Sequence, residues 1–403
     1  MSQSWLDLPQ GTLYGIEALP YASAQVGDKA HLVVRIGDHA LDLTAAAPAL
    51  GAGWAPVAEP GNLDDLLAAG PDVWAQLRRD VTSWLSDTVY EGRVREHLVA
   101  VDGLELLLPF TVGDYVDFYA SENHAANLGR IFRPDAEPLT PNWKHLPIGY
   151  HGRSQTVVVS GEDIPRPRGQ RRTPDGEVVF GPSVRLDIEV ELGFVVGVGS
   201  TRGETVEVAD VEQHVFGVAL VNDWSARDIQ AFEYVPLGPF LGKSFATSIG
   251  AWVLPLAALA DARVEPPARD VPLQDYLADV PGEPWGLDID FEVRLDGEVI
   301  SRPPYAQMYW TPAQMLAHIT VNGASVRPGD LFASGTISGV DVDQRGALIE
   351  MTWNGRDPIT LADGRTRTFL EDGDEVAISA TAPGPGGVRI GLGEVRGRIL
   401  PAR

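Results

Sequence analysis

The chain has no cysteine among its 403 residues. This absence excludes disulfide bridges, zinc–thiolate sites and cysteine nucleophiles. Lysine and arginine are missing before Lys29, so we expect neither a signal peptide nor a transit peptide. No apolar run approaches the ~18 residues that a membrane-spanning helix requires. These absences favour a cytoplasmic protein.

Basic residues are scarce: 31 Lys and Arg face 56 Asp and Glu, which gives a net charge of −25. Binding to nucleic acid or to an anionic membrane requires a basic face, so neither is expected as a partner. Against this background Arg133, Arg227 and Lys243 are notable, because cations placed together could hold an anionic small molecule.

Several familiar catalytic patterns are also missing. The chain contains no GxxxxGK[ST] phosphate loop, no GxSxG elbow and no HExxH pair, and its glycine-rich pieces do not complete GxGxxG. Nucleotide binding through these loops and serine or zinc hydrolysis of these types are therefore not indicated.

The 43 glycines and 31 prolines favour short strands and many turns. Residues 30–36 and 40–43 flank a Gly37-Asp38 turn and predict a hairpin. Apolar residues at helical spacing follow Pro71 and predict a helix. We predict a mainly β (α+β) fold with a boundary near residue 112, which gives domains at 1–112 and 113–403. The later segments predicted as strands are 156–160, 187–196, 216–221, 288–295, 348–353 and 375–380, and 312–320 is predicted as a helix.

Residues 186–192 alternate apolar and acidic side chains with period two. On a strand this places Glu189 and Glu191 on one face, roughly 7 Å apart. Together with Asp223 they suit a hard divalent cation such as Mg²⁺ or Ca²⁺. A solvated strand face explains the two glutamates equally well, since such strands are common in antiparallel sheets.

Ser121 can cap a short helix and would place His124 in the first turn. That position favours the neutral imidazole of a general base, although a lone histidine is more often structural. Glu350 lies within the apolar strand predicted at 348–353, where a carboxylate needs a partner such as a histidine. The sequence does not establish this pairing.

Longer motifs carry a family resemblance. The motifs are DFY at 117–119, PIGYHGR at 147–153, NDWSARDIQ at 222–230, EYVPLGPFLGKS at 233–244 and RPGDLFASGTISG at 327–339. With these motifs the chain resembles the fumarylacetoacetate hydrolase family, full-length two-domain type, from about residue 110 to its end, and more weakly before that. The resemblance implies a small N-terminal SH3-like domain and a C-terminal mixed β-sandwich roll.

The resemblance also implies an activity: hydrolysis of 4-fumarylacetoacetate to fumarate and acetoacetate, the last step of tyrosine and phenylalanine catabolism. It implies a Mg²⁺ or Ca²⁺ cofactor, no organic cofactor and a homodimer. The implied metal ligands are Asp117, Glu189, Glu191 and Asp223, with a second, weaker cation near Asp223, Lys243 and Thr247. The implied catalytic residues are His124, Glu350, Arg227, Gln230 and Lys243. The implied substrate-binding residues are Tyr119, Arg133, Tyr150, Gln230, Tyr234 and Thr336.

Alternatives remain at this point. Acylpyruvate hydrolases and oxaloacetate decarboxylases share the fold and a similar acidic triad, whereas a metal-dependent binding module of β structure would belong to a different class. One physical observation supports the expected dimer. The loops at 134–153 and 227–245 carry aromatic side chains that a partner could bury. These are Trp143, Tyr150, His151, Phe232, Tyr234 and Phe240. The same loops could instead fold over the site within one chain.

Overall fold

The computed structural model describes residues 4–403. The N-terminal part contains a five-stranded antiparallel sheet in the order β4-β3-β2-β1-β5. Its strands are β1 Tyr21–Val26, β2 Lys29–Ile36, β3 His39–Asp42, β4 Leu98–Ala100 and β5 Leu106–Leu107. Its helices are α1 Leu43–Leu50, α2 Ala55–Ala58, α3 Asp64–Ala69, α4 Pro71–Ser86 and α5 Glu91–Arg95.

The two local predictions for this part are confirmed. Gly37 adopts a φ of 57°, a left-handed conformation that suits glycine, and it joins β2 to β3 in the expected hairpin. Helix α4 begins at Pro71 and buries Leu77, Val81 and Trp84 along one face. The SH3-like description of this sheet stays a prediction.

A large mixed sheet forms the centre of the remaining chain. Its order is β7-β6-β22-β13-β14-β16-β8, and β17 also pairs with β14. The strands are β6 Tyr115–Phe118, β7 Gly149–His151, β8 Val157–Val159, β13 Val190–Val196, β14 Val215–Asp223, β16 Thr247–Ile249, β17 Leu254–Pro255 and β22 Leu331–Ala333. The pairs β6/β22 and β8/β16 are parallel, and the other pairs are antiparallel.

A second, five-stranded sheet has the order β21-β20-β25-β26-β9. Its strands are β9 Ile164–Pro165, β20 Asp290–Leu295, β21 Glu298–Ser301, β25 Glu375–Gly384 and β26 Val388–Leu400. Four two-stranded ladders complete the β structure: β10 Arg168–Arg172 with β11 Val178–Pro182, β12 Leu186–Asp187 with β15 Ser225–Ala226, β18 Arg263–Val264 with β19 Gly286–Leu287, and β23 Ile359–Thr360 with β24 Thr366–Arg367. The helices are α6 Glu122–Phe132, α7 Val211–His214, α8 Arg227–Glu233, α9 Pro312–Thr320 and α10 Leu348–Met351.

The two faces of the large sheet bury different cores. Leu192 and Phe194 of β13 belong to the core of the C-terminal part. Val195 of β13, with Ala219 and Val221 of β14, belongs to a core shared with the N-terminal part. Side chains alternate across a strand, so the N-terminal part covers one face of this sheet. The mainly β fold with interspersed helices is confirmed.

Several segment predictions are corrected. Residues 348–353 do not form a strand, because Leu348–Met351 is the helical turn α10. The strand predicted at 187–196 is interrupted between β12 and β13 at residues 188–189. The supposed loop at 227–245 begins with α8, and the loop at 134–153 contains β7. Helix α9 matches its predicted bounds. Among the described helices, none has both the length and the apolar character needed to cross a membrane.

Candidate active site

The register of the large sheet brings distant acidic residues together. Asp117 on β6 lies opposite Tyr150 on β7, and Asp223 at the end of β14 lies opposite Thr247 on β16. Glu191 on β13 lies opposite Val221, two residues before Asp223 and on the same face of β14. Long-range strand pairing therefore assembles a cluster whose members are far apart in sequence.

This acidic cluster consists of Asp117, Glu189, Glu191 and Asp223. Each offers a carboxylate oxygen, and these oxygens lie within 4.8 Å of one another. All four residues are at most 5% exposed. The interpretation of Glu189 and Glu191 as a solvated strand face is therefore wrong.

Two cations pair with the cluster. Lys243 Nζ lies 2.7 Å from Asp223 Oδ2 and also bonds Glu189 Oε2, while Arg227 Nη1 lies 2.7 Å from Glu189 Oε1. Burial alone would raise the pKa of Glu189, but the charges of Lys243 and Arg227 lower it below its usual range. Burial would lower the pKa of Lys243, and the charges of Asp223 and Glu189 raise it instead. Glu189 and Lys243 are therefore both ionised at neutral pH.

The rest of the cluster lacks such compensation. Within residues 4–403, both carboxylate oxygens of Glu191 and Oδ1 of Asp117 are buried without a hydrogen-bond partner. Burial, followed by the neighbouring carboxylates, raises the pKa of Glu191 well above its usual range. Unpaired buried carboxylate oxygens converging on one point are the donor set of a hard divalent cation. The residues present therefore fit a metal ion.

A second charged group, the His124–Glu350 dyad, lies beside the cluster. Ser121 Oγ caps α6 by accepting the backbone N–H of His124, as predicted. His124 Nδ1 lies 2.6 Å from Glu350 Oε2, although the residues are 226 positions apart. Burial would raise the pKa of Glu350, but the charge of His124 and the hydrogen bonds that Glu350 accepts lower this pKa. The expected histidine–carboxylate pairing is present, although Glu350 reaches it from a helical turn.

Two polar side chains that the sequence reasoning did not identify complete this dyad. Asn127 Nδ2 donates to Glu350 Oε1 at 2.9 Å, and Ser338 Oγ donates to Glu350 Oε2 at 2.8 Å. Asn127 follows His124 by one helical turn, and this spacing is the signal that could have revealed it. Ser338 has no comparable local signal.

The dyad and the acidic cluster open into one cavity of about 410 Å³. Eleven of the predicted site residues line it: Asp117, Tyr119, His124, Arg133, Tyr150, Glu189, Arg227, Gln230, Tyr234, Lys243 and Thr336. The other four lie behind this lining and touch it, directly or through the cluster: Glu191, Asp223, Thr247 and Glu350. The structure thus brings every predicted site residue into one region.

Two polar groups of the cavity wall have no hydrogen-bond partner within residues 4–403. Arg227 Nη2 and Thr336 Oγ1 are buried and lack a hydrogen-bond partner anywhere in the described part of the chain. Tyr150 differs, since its hydroxyl donates to Asp223 Oδ2 at 3.2 Å. Arg133 and Tyr234 are exposed. The inner wall therefore offers donors for ligand oxygens, and the rim adds the exposed guanidinium of Arg133.

One premise of the dimer argument needs correction. Trp143 is only 1% exposed and donates through Nε1 to the backbone oxygen of Tyr119, so its own chain already buries it. Tyr234 and Phe240 do lie on the surface, at 43% and 60% exposure.

Comparisons with known proteins give matches over nearly the whole chain. The model described as "Fumarylacetoacetase N-terminal" matches residues 17–109, and "Fumarylacetoacetate (FAA) hydrolase C-terminal" matches residues 115–400. The fumarylacetoacetases of Rattus norvegicus and Arabidopsis thaliana are each 42% identical to the chain, and the human protein is 41% identical. Each of these alignments covers 99% of both chains.

Solved structures share the fold at lower identity. The fumarylacetoacetate hydrolase from psychrophilic Exiguobacterium antarcticum has a TM-score of 0.56 at 17% identity and covers 96% of this chain and 100% of its own. Maleylpyruvate hydrolase from Sphingobium has a TM-score of 0.53 at 15% identity, with 95% and 100% covered. Family models that span nearly the whole chain, and relatives above 40% identity over its full length, give one conclusion: the chain belongs to the fumarylacetoacetate hydrolase family.

Proposed function

We propose that this enzyme is a fumarylacetoacetase, which hydrolyses 4-fumarylacetoacetate to fumarate and acetoacetate at the end of tyrosine and phenylalanine breakdown. The observation that carries the proposal is the His124–Glu350 dyad facing the same cavity as a buried cluster of four carboxylates. Full-length similarity to proteins named fumarylacetoacetase supports it. The acidic triad alone would not separate this activity from its relatives.

The proposed reaction requires a base for water. When the Nδ1–H group of neutral His124 donates a hydrogen bond to Glu350, Nε2 carries the free lone pair of the imidazole. It takes a proton from a water molecule, whose oxygen adds to the carbonyl carbon of the fumaryl group. Collapse of the tetrahedral adduct breaks the C–C bond, which leaves fumarate and the enolate of acetoacetate. The enolate then takes up one proton, so one water is consumed.

The charge that develops in this reaction needs donors. Arg227 Nη2 is buried and unpaired within residues 4–403, and Gln230 and Lys243 line the same cavity. Preorganised donors of this kind stabilise an oxyanion and a departing enolate. We assign Tyr119, Arg133, Tyr150, Gln230, Tyr234 and Thr336 to the carboxylates and oxygens of the substrate.

We assign a divalent cation, Mg²⁺ or Ca²⁺, to Asp117, Glu189, Glu191 and Asp223. Their oxygens fit a hard cation, and a bound ion would polarise the two oxygens of the 1,3-diketone and lower the charge of the enolate. A second, weaker cation is assigned near Asp223, Lys243 and Thr247. Lys243 already neutralises part of the charge of Asp223, so we expect a lower affinity at this second position. No organic cofactor enters the reaction.

Further assignments belong to the same proposal. The two family models meet between residues 109 and 115, which supports domains at 1–112 and 113–403. We assign the SH3-like fold to the first domain from the family resemblance alone. The acidic charge supports an enzyme without nucleic-acid or membrane partners, and we assign it to the cytoplasm.

We also propose a homodimer built through the C-terminal part, with both sites near the interface. Apolar side chains exposed beside the cavity rim support it: Val235, Leu237 and Phe240 are 68%, 98% and 60% exposed. Light scattering at submicromolar concentration should give about twice the 43.4 kDa chain mass. A mass equal to one chain would contradict the dimer.

A direct assay tests the activity. Purified protein with added Mg²⁺ or Ca²⁺ should remove the absorbance of fumarylacetoacetate and release fumarate and acetoacetate in equal amounts. Chelation should stop the reaction, and adding back either ion should restore it. An unchanged absorbance with metal-loaded, folded protein would refute the proposed activity.

A further inference from the structure

Asp187 has none of the roles assigned above, yet it is fully buried next to the site. Its Oδ1 accepts the backbone N–H of Leu348 at 2.7 Å, and its Oδ2 accepts that of Ile349 at 3.1 Å. These N–H groups open α10, and the preceding residue Ala347 supplies no side-chain cap. Asp187 therefore caps, from a distant strand, the helical turn that carries Glu350.

The same carboxylate holds Arg227. Arg227 Nε donates to Asp187 Oδ2 at 2.8 Å, and both side chains are buried. The segments that carry the two residues are also paired, because Asp187 on β12 lies opposite Ser225 on β15, two residues before Arg227. The guanidinium is planar, so fixing Nε fixes the direction in which the unpaired Nη2 points. Asp187 thus contacts both the cation of the cavity wall and the turn that orients the histidine.

We propose that Asp187 is a positioning residue that fixes the Arg227 guanidinium relative to the turn carrying Glu350. This inference rests on the proposed hydrolysis, in which His124 activates the water that attacks a carbonyl group and Arg227 donates to the oxygen of the same group. A misplacement of about 1 Å can reduce turnover about 10²-fold. One carboxylate bonded to both groups prevents them from shifting independently.

Asp187→Asn tests the proposal. The amide keeps the size of the side chain, but its NH₂ group faces N–H donors, so either the cap or the Arg227 bond is lost. We expect kcat to fall about 10²-fold with KM changed by less than about threefold, because the residues assigned to the substrate are elsewhere. The metal-induced rise in melting temperature should remain, because Asp187 lies outside the acidic cluster.

The chain offers a matched control in Asp374, another buried carboxylate. It pairs with Arg367 at 2.8 and 2.9 Å and accepts the backbone N–H of Glu371 at 2.8 Å, but it does not line the cavity. Asp374→Asn should lower the melting temperature and leave kcat within about twofold of wild type. Asp187→Asn should lower both.

Double mutants separate positioning from general support. Combining Asp187→Asn with Glu350→Gln, or with Arg227→Lys, should be little worse than the poorer single variant, because the residues act as one unit. Fully multiplicative losses with both partners would overturn the inference. A kcat of Asp187→Asn like that of Asp374→Asn, at an equal loss of stability, would also overturn it. Loss of the metal-induced rise in melting temperature would overturn it too, because Asp187 would then belong to the metal site.

Two further outcomes are distinguishable. If Asp187→Asn does not fold, Asp187→Ser is the second variant. Its hydroxyl can accept one N–H but cannot pair with Arg227, so the same loss of kcat is expected. An unaffected kcat counts against the inference. If the wild-type enzyme itself leaves fumarylacetoacetate intact, the proposed function fails, whatever Asp187 does.

Discussion

Glu350 and Glu191 are both fully buried, yet their surroundings are opposite. Glu350 has a partner for each oxygen, from His124, Asn127 and Ser338, and its pKa is lowered. Neither oxygen of Glu191 has a hydrogen-bond partner in the described chain, and its pKa is raised. The protein itself completes the environment of the first carboxylate, whereas the second is left open for the cation that we propose.

The same substitution, Glu→Gln, can therefore be made at both places and compared. It removes one charge and hardly changes the volume. At Glu350 it breaks existing hydrogen bonds, whereas at Glu191 it relieves repulsion between carboxylates and removes a proposed metal ligand. The predictions below use this pair, from the largest expected effect to the smallest.

The largest effect is expected on turnover in Glu191→Gln. Loss of a proposed ligand should weaken binding of the cation. The ion's contribution of several kcal/mol to transition-state stabilisation corresponds to roughly 10³-fold in rate. Steady-state kinetics at saturating substrate and millimolar metal measures it. Glu265→Gln, at an exposed position, is the control and should behave as wild type. Normal hydrolysis by Glu191→Gln after exhaustive chelation would remove the metal from the proposal.

His124→Ala should lower turnover by roughly 10² or more, since a general base is lost. Glu350→Gln should show a defect of the same kind because the imidazole loses its orientation. The double variant should be little worse than the poorer single variant. If the two defects multiply in full, the residues do not act as a dyad.

Added Mg²⁺ or Ca²⁺ should stabilise the wild-type enzyme, by about 2.7 kcal/mol when the ion is at 100 times its Kd. Thermal unfolding with and without metal measures this rise. Glu350→Gln should keep the rise, and Glu191→Gln should lose most of it. An equal response in both variants would mean that the ion binds elsewhere.

Without metal, the two variants should differ in stability in opposite directions. Glu350→Gln should be destabilised by about 1.5–3 kcal/mol, because hydrogen bonds between charged groups are lost in the interior. Glu191→Gln should be as stable as wild type or more so, since it removes a buried carboxylate that has no hydrogen-bond partner within residues 4–403. Denaturant unfolding in a chelator gives both values, and a large destabilisation of Glu191→Gln would contradict the contrast.

The smallest effect is a pH dependence of the Glu350 contribution. Its folded-state pKa lies below the ordinary value of 4.5, so the ionised form stabilises the fold above that pH. This stabilisation should disappear as the pH falls through the lowered pKa. The stability difference between wild type and Glu350→Gln should therefore be constant near neutrality and shrink in acid. If this stability difference grows in acid, the pKa of Glu350 is raised by folding and not lowered.

Local patterns gave several elements correctly. The Ser121 cap, the hairpin at Gly37 and helix α9 depend on neighbouring residues, and each is present as predicted. The alternation at 186–192 also placed Glu189 and Glu191 near each other. That alternation includes Asp187, whose spacing on the same face could have identified it, but no local feature shows what it contacts.

The sequence by itself determined the types of residue, the family motifs and the excess of acidic charge, because each is readable within short segments. Only the tertiary structure decided burial and partners. Periodicity could not show that Glu189 and Glu191 are enclosed, nor that Leu348–Met351 is helical, since Asp187 caps that turn across 161 residues. Contacts of this range depend on strand register and packing, which local propensity does not specify.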